Sequence, residues 1–116
     1  LNAVYDNPAP VTETGFVYMD TPGNDPVSAT GQVAGGANMI CFTTGRGSAY
    51  GCAPSPSLKI ATNTALWQRQ EEDMDINCGE IVDGASSIQQ MGQRIFELVL
   101  ATASPAGVCC ARDQNP

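Results

Sequence analysis

The chain contains no histidine. That removes the usual general base near neutral pH and the commonest metal ligand. Basic residues are scarce too: five Lys and Arg stand against twelve Asp and Glu, for a net charge of −7, and Lys59 is the lone lysine. Without a basic face to meet phosphate, nucleic acid is not expected as a partner, nor is an anionic membrane surface. No apolar run approaches the roughly 20 residues that cross a bilayer, and no charged-then-apolar leader opens the chain. Leu1 in place of an initiator methionine fits a processed chain or a fragment of a longer one. The five cysteines are odd in number and form no C-x-x-C pair. Neither a disulfide framework nor a structural zinc site follows from them, and a cytoplasmic, reducing setting is expected. Acid–base chemistry by this chain alone must use carboxylates, Lys59, cysteines or hydroxyls.

What is present is the making of one small domain. A hydrophobic fraction of 42% over 116 residues supports a modest core. Residues 1–13 carry two prolines and no clear period, which predicts a linker or arm. "GFVYM", Gly15–Met19, predicts a strand. "PVSATGQVAGGA" predicts a thin helix able to lie close to a sheet, capped by Asn24 or Asp25, with Pro26 at its start and Gly35 and Gly36 at its end. "NMICFTT" predicts a second strand, covered on both faces. Strand, helix and strand make a βαβ unit with parallel strands. "SLKIATN" predicts a third strand. "TALWQRQEEDM" predicts a helix capped by Asn63 or Thr64, and "DMDINCGEIVDGA" fits a short strand or an irregular passage. "SSIQQMGQRIFELVLATA" predicts the longest helix, with a capping box at Ser87 and Gln90 and a face formed by Ile88, Met91, Ile95, Leu98 and Val99. The expected organisation is an arm over 1–13, an α/β domain over 14–104 and a flexible tail over 105–116.

In open parallel sheets, ligands bind beyond the carboxyl ends of the strands. That rule gathers Asp20, Asn24, Asp25, Thr43, Thr44, Arg46 and Asn63 on one rim. The glycine loop "TTGRGSAYG" is no nucleotide cradle: G-x-G-x-x-G needs glycine where Tyr50 stands, and no G-x-x-x-x-G-K-[ST] occurs. Pro54 and Pro56 also stop a helix from opening behind it. Its backbone donors and the Arg46 guanidinium suit a carboxylate, although Gly45, Gly47 and Gly51 also fit simple turns. Lys59 is either a solvated edge-strand lysine or, in a central strand, a paired or functional one. Asp73 and Asp75 fit a shared metal or a solvated acidic helix end. Cys41 is expected in the core. Cys52, in the glycine loop, is a candidate reactive thiol or iron ligand.

The strings "GFVYMDTPGNDPVSATGQVAGGAN", "CFTTGRGSAYGC" with "PSPSLKIATN", and "EEDMDINCGEIVDG" resemble the C-terminal part of the altronate/galactarate dehydratase family of sugar-acid dehydratases. The resemblance runs from about Thr14 to about Thr102, and "TTGRG" followed by "PSxKxATN" is its most specific part. It implies a Rossmann-like three-layer α/β domain with a short, mainly parallel sheet, attached to a longer enzyme with a small β-clip N-terminal domain. It implies a hydro-lyase that removes water from a hexonate or aldarate such as altronate, giving a 2-keto-3-deoxy acid, with iron(II) or manganese(II) as cofactor. A related lyase in the superfamily acts on sulfolactate.

With that chemistry, Lys59 and Arg46 are the expected catalytic residues. Asn24, Asp25, Thr43, Thr44, Gly45, Gly47 and Asn63 are the expected substrate contacts. Asp20, Asp75 and Cys52 are the metal candidates, with further ligands expected from the N-terminal part of the enzyme. The expected partners are a sugar acid, the rest of the enzyme and, as an option, further copies of the chain. The piece alone is expected to fold but not to turn over. A non-catalytic binding or assembly domain is the rival, and an unrelated α/β domain with merely structural loops is a third.

Overall fold

The structure is a computed structural model, and it describes residues 1–51 and 55–104. Five strands and four α-helices occur among them: β1 (Ala3–Asp6), β2 (Val17–Asp20), α1 (Asp25–Ala34), β3 (Ile40–Thr44), β4 (Ser57–Ala61), α2 (Thr64–Arg69), β5 (Ile76–Asn77), α3 (Gly79–Val82) and α4 (Ile88–Ala103). A 3₁₀ turn at Glu71–Asp73 follows α2. Every strand pairing is parallel, which is the α/β class expected. No helix among the described residues is long and apolar enough to cross a membrane.

The sheet is not continuous. β1 pairs with β2 in one sheet, and β3-β4-β5 form another. The expected βαβ unit therefore exists in sequence, but its two strands are not paired: β2 pairs with β1 and β3 with β4. β1 itself lies inside the segment predicted to be an arm. Four residues between a terminus and a proline turn give too short a signal, and the partner that makes them a strand begins at Val17.

The helix caps follow local chemistry. Asn24 accepts from the Val27 amide at 3.4 Å and starts α1, and Asp25 in the first turn complements the helix dipole. Helix α1 is thin, as expected, and lies close to its neighbours. A Cβ at Gly35 would come within 2.6 Å of Met19 Cε and 2.9 Å of the Ala9 carbonyl. Ser87 and Gln90 form the expected capping box of α4. Met91 of that helix is buried, whereas Ile88, expected on the same face, is 69% exposed.

The central strand of the larger sheet is β4, and all five of its residues are buried. Burial on both faces is the usual state of a parallel strand. Leu66 of α2 packs with Ala61 and Met74 in a small cluster that Trp67 partly covers. Cys41 departs from expectation: it is exposed rather than in the core, because β3 alternates between faces and Cys41 lies on the face that opens into the cavity beside α1.

Candidate functional site

Two features meet at the carboxyl end of β3. The first is a cavity of about 360 Å³ between the β2–α1 loop, α1 and β3, lined among others by Thr21, Asp25, Ser28, Gln32, Cys41 and Thr43. Its polar groups are already ordered: Thr21 Oγ1 and Ser28 Oγ are 2.7 Å apart, and Gln32 Nε2 donates to Ser28 Oγ at 3.1 Å. Asp25 and Thr43, predicted separately from two loops, share this cavity. Asp20 is exposed at the end of β2 and is not among its lining residues. Asn24 spends its side-chain oxygen on the cap of α1.

The second feature is the loop that β3 runs into. Gly47 has φ +109°, a left-handed conformation that suits glycine, and its amide donates to Thr44 Oγ1 at 3.0 Å. The carbonyls of this loop are gripped from outside. Asn63 Nδ2 donates to the Gly45 carbonyl at 2.9 Å. Arg69 Nη2 donates to the Arg46 carbonyl at 3.1 Å. Lys59 Nζ donates to the Ser48 carbonyl. Further along, Tyr50 N donates to Ser48 Oγ at 3.1 Å, and the Tyr50 ring packs tilted against Phe42 with centroids 6.4 Å apart.

A trans peptide sets each C=O opposite the N–H of the next residue. With the Gly45 and Ser48 carbonyls drawn toward β4 and α2, the amides of Arg46 and Ala49 face away from them. Neither amide has an acceptor among the described residues. Arg46 is exposed beside them. Two outward amides and a guanidinium within four residues are donors of the kind that can meet an anion.

Asn63 has both polar ends occupied, since its Oδ1 also accepts from the Leu66 amide at 2.8 Å as the cap of α2. Behind it, Thr64 Oγ1 donates to Asp83 Oδ2 and accepts from Asn77 Nδ2 at 3.2 Å. Asn77 Oδ1 in turn accepts from the Gly79 amide at 2.9 Å. This layer fixes the start of α2 and, through Asn63, the loop.

Lys59 is 0% exposed in the central strand. Asp75 extends the ladder beside it: Asp75 Oδ2 accepts from the Lys59 amide at 2.7 Å, and Asp75 N donates to the Lys59 carbonyl at 2.8 Å. The Asp75 carboxylate thus serves the backbone. Asp20 stands apart on β2, and Cys52 lies outside the described residues. No cluster of three or more Cys, Asp or Glu that could hold a metal without further ligands occurs among the described residues. Sequence reasoning missed Arg69, whose position on a short polar helix gave no sign of its reach to the loop.

The chain matches the family described as D-galactarate/altronate dehydratase, C-terminal, over residues 1–114. It is 43% identical over 93 residues to the galactarate dehydratase (L-threo-forming) of Escherichia coli, covering 80% of this chain and 18% of that protein. It is 29% identical over 99 residues to the altronate dehydratase of the same organism, covering 85% and 20%. Against the altronate dehydratase of Bacillus subtilis it is 35% identical over 69 residues, covering 60% and 14%. The chain thus spans at most about a fifth of the length of these relatives, and the family match takes in the glycine loop, Lys59, Asn63 and Arg69: the chain belongs to the C-terminal domain family of D-galactarate/altronate dehydratases.

Proposed function

We propose that this chain forms the carboxylate- and hydroxyl-binding wall of a sugar-acid dehydratase that removes water from a hexonate or aldarate of the galactarate or altronate type. The observation that carries this is the loop 44–49, with its carbonyls held inward and the Arg46 and Ala49 amides turned outward, next to a polar cavity of about 360 Å³. That volume is in the range of small-molecule sites. The names of the relatives supply the substrate class.

β-Elimination beside a carboxylate begins with loss of the α-proton, which turns a singly charged carboxylate into a doubly charged enediolate. Donors already aimed at those oxygens gain strength as the charge grows, so they favour the transition state over the bound acid. In this proposal Arg46 and the two amides do that work. Thr43 and Asp25, with Thr21 and Gln32, orient the sugar hydroxyls in the cavity. The base and the ligands that would complete a site for iron(II) or manganese(II) are assigned to the longer enzyme, in line with the absence of histidine here.

The test is a titration of the ¹⁵N-labelled chain with galactarate and altronate, with adipate as a hydroxyl-free control. Saturable shifts at the Arg46 and Ala49 amides, stronger for the sugar acids than for adipate, are expected. An Arg46→Ala variant should weaken them about 10- to 100-fold, as loss of a charged hydrogen bond implies. Shifts scattered over the surface, or none at millimolar acid, would sink the proposal.

A further inference from the structure

We infer that Lys59, Asn63 and Arg69 are positioning residues: together they clamp the loop from outside and hold its amides in the anion-binding arrangement. The inference rests on the sugar-acid function proposed above and deepens it. It gives a role to Arg69, which no sequence signal marked, and it places Lys59 behind the loop rather than on the substrate.

The geometry is of one kind at three points. The donors come from β4, from the residue that caps α2, and from the last turn of α2. Each takes a different loop carbonyl: Ser48, Gly45 and Arg46 in turn. A loop with three glycines in seven residues, Gly45 to Gly51, has high intrinsic freedom. Two bonds within the loop, Gly47 N to Thr44 Oγ1 and Tyr50 N to Ser48 Oγ, are local and span two or three residues. They shape turns but do not tie the loop to the sheet. The three external donors do, and Lys59 does so from a side chain with no exposed surface. A donor enclosed in this way is poorly placed to meet an α-proton and well placed to fix a carbonyl. Gln70 adds a wall, because a Cβ at Gly47 would run into its side chain.

The clamp affects binding through population. When only a fraction of molecules hold the competent loop, the apparent dissociation constant rises by the inverse of that fraction. Losing one net hydrogen bond changes such an equilibrium by about five-fold. Arg69→Met, at an exposed position, should therefore raise solvent exchange at the bonded Gly47 and Tyr50 amides and weaken galactarate binding by a comparable factor. Lys59→Met should do more, because its donor is buried. Exchange along α4 should stay as in the wild type, and Arg69→Lys and Lys59→Arg, which keep a donor, should restore part of both effects.

Solvent exchange measured by NMR on these variants, with galactarate titrations beside it, decides the matter. Unchanged loop exchange in Arg69→Met and Lys59→Met overturns the clamp. So does a loosened loop that binds galactarate as tightly as the wild type. Should Lys59→Met fail to fold, Arg69→Met carries the test alone. Wild-type protein that never binds galactarate refutes the sugar-acid function instead, and the exchange measurements still decide whether the three donors hold the loop.

Discussion

Replacing Gly79 by alanine adds one methyl group where the structure has no room for it. The new Cβ would lie 2.6 Å from the carbonyl carbon of Asn63, 2.7 Å from Thr64 Oγ1, and against the Thr64 amide nitrogen. Two of these neighbours are backbone at the start of α2, so no side chain can swing aside to relieve the contact. Overpacking of this kind costs about 1–3 kcal/mol. Moving Asn63 also weakens an N-cap, worth about 1 kcal/mol, for a total of about 2–4 kcal/mol. A domain of this size loses about 4–8 °C of Tm per kcal/mol, so thermal unfolding followed by circular dichroism should fall by about 8–30 °C. Gly92→Ala is the control. It makes the same chemical change inside α4, where nothing lies within 4 Å of the added Cβ, and the gain in helix propensity is about 1 kcal/mol. Its Tm should rise. A Gly79→Ala loss below about 1 kcal/mol, or shifts of the same sign in both variants, would refute the steric reasoning.

Leu66→Ala removes a fully buried side chain from the cluster with Ala61 and Met74 and should cost about 2–5 kcal/mol in urea unfolding; a loss below that range would mean the cluster collapses around the gap. Burial followed by the nearby Glu80 carboxylate raises the Cys78 thiol above its usual value of 9.0. A raised folded pKa favours the neutral thiol, so the stability it lends is present below about pH 9 and lost as pH rises further. Iodoacetamide at pH 8 should accordingly modify Cys78 more slowly in the folded chain than in urea, and Glu80→Gln should speed that reaction. Equal rates in folded and unfolded protein would contradict the burial effect.

Much of the local structure could be read from single residues. Asn24, Asn63 and Ser87 cap helices through short-range bonds to amides three residues ahead, and such bonds are written in the sequence. The pairing of β1 with β2 was not legible, because a four-residue strand gets its identity from a partner elsewhere. The split into two sheets was hidden for the same reason: a βαβ string gives the direction of two strands, not their adjacency. The site divided along the same line. Asp25 and Thr43 were rightly drawn to the end of the strands, where they share a cavity. The reach of Arg69 to a carbonyl 23 residues back, and of Lys59 to one 11 residues back, depends on tertiary packing that no spacing encodes. Cys41 shows the converse failure: an apolar run predicted cover on both faces, but one face of β3 opens into a cavity and its alternate residues are exposed.

The division of labour between loop and clamp has a consequence for transplantation. The string "TTGRGSA" carries the amides that would meet a ligand, but much of the shape of that string is stored elsewhere, in a lysine, an asparagine and an arginine that follow it in the chain. A protein engineer who moved the loop alone into another scaffold would move its composition without its conformation. The smallest portable unit runs from β3 through α2, because it contains both the glycines and the three side chains that hold their carbonyls. Within that unit the exposed position 49 tolerates any side chain that keeps the backbone N–H, so proline alone is barred, whereas exchanging Arg69 for a residue without a donor would weaken binding at a loop it sits 20 or more positions behind.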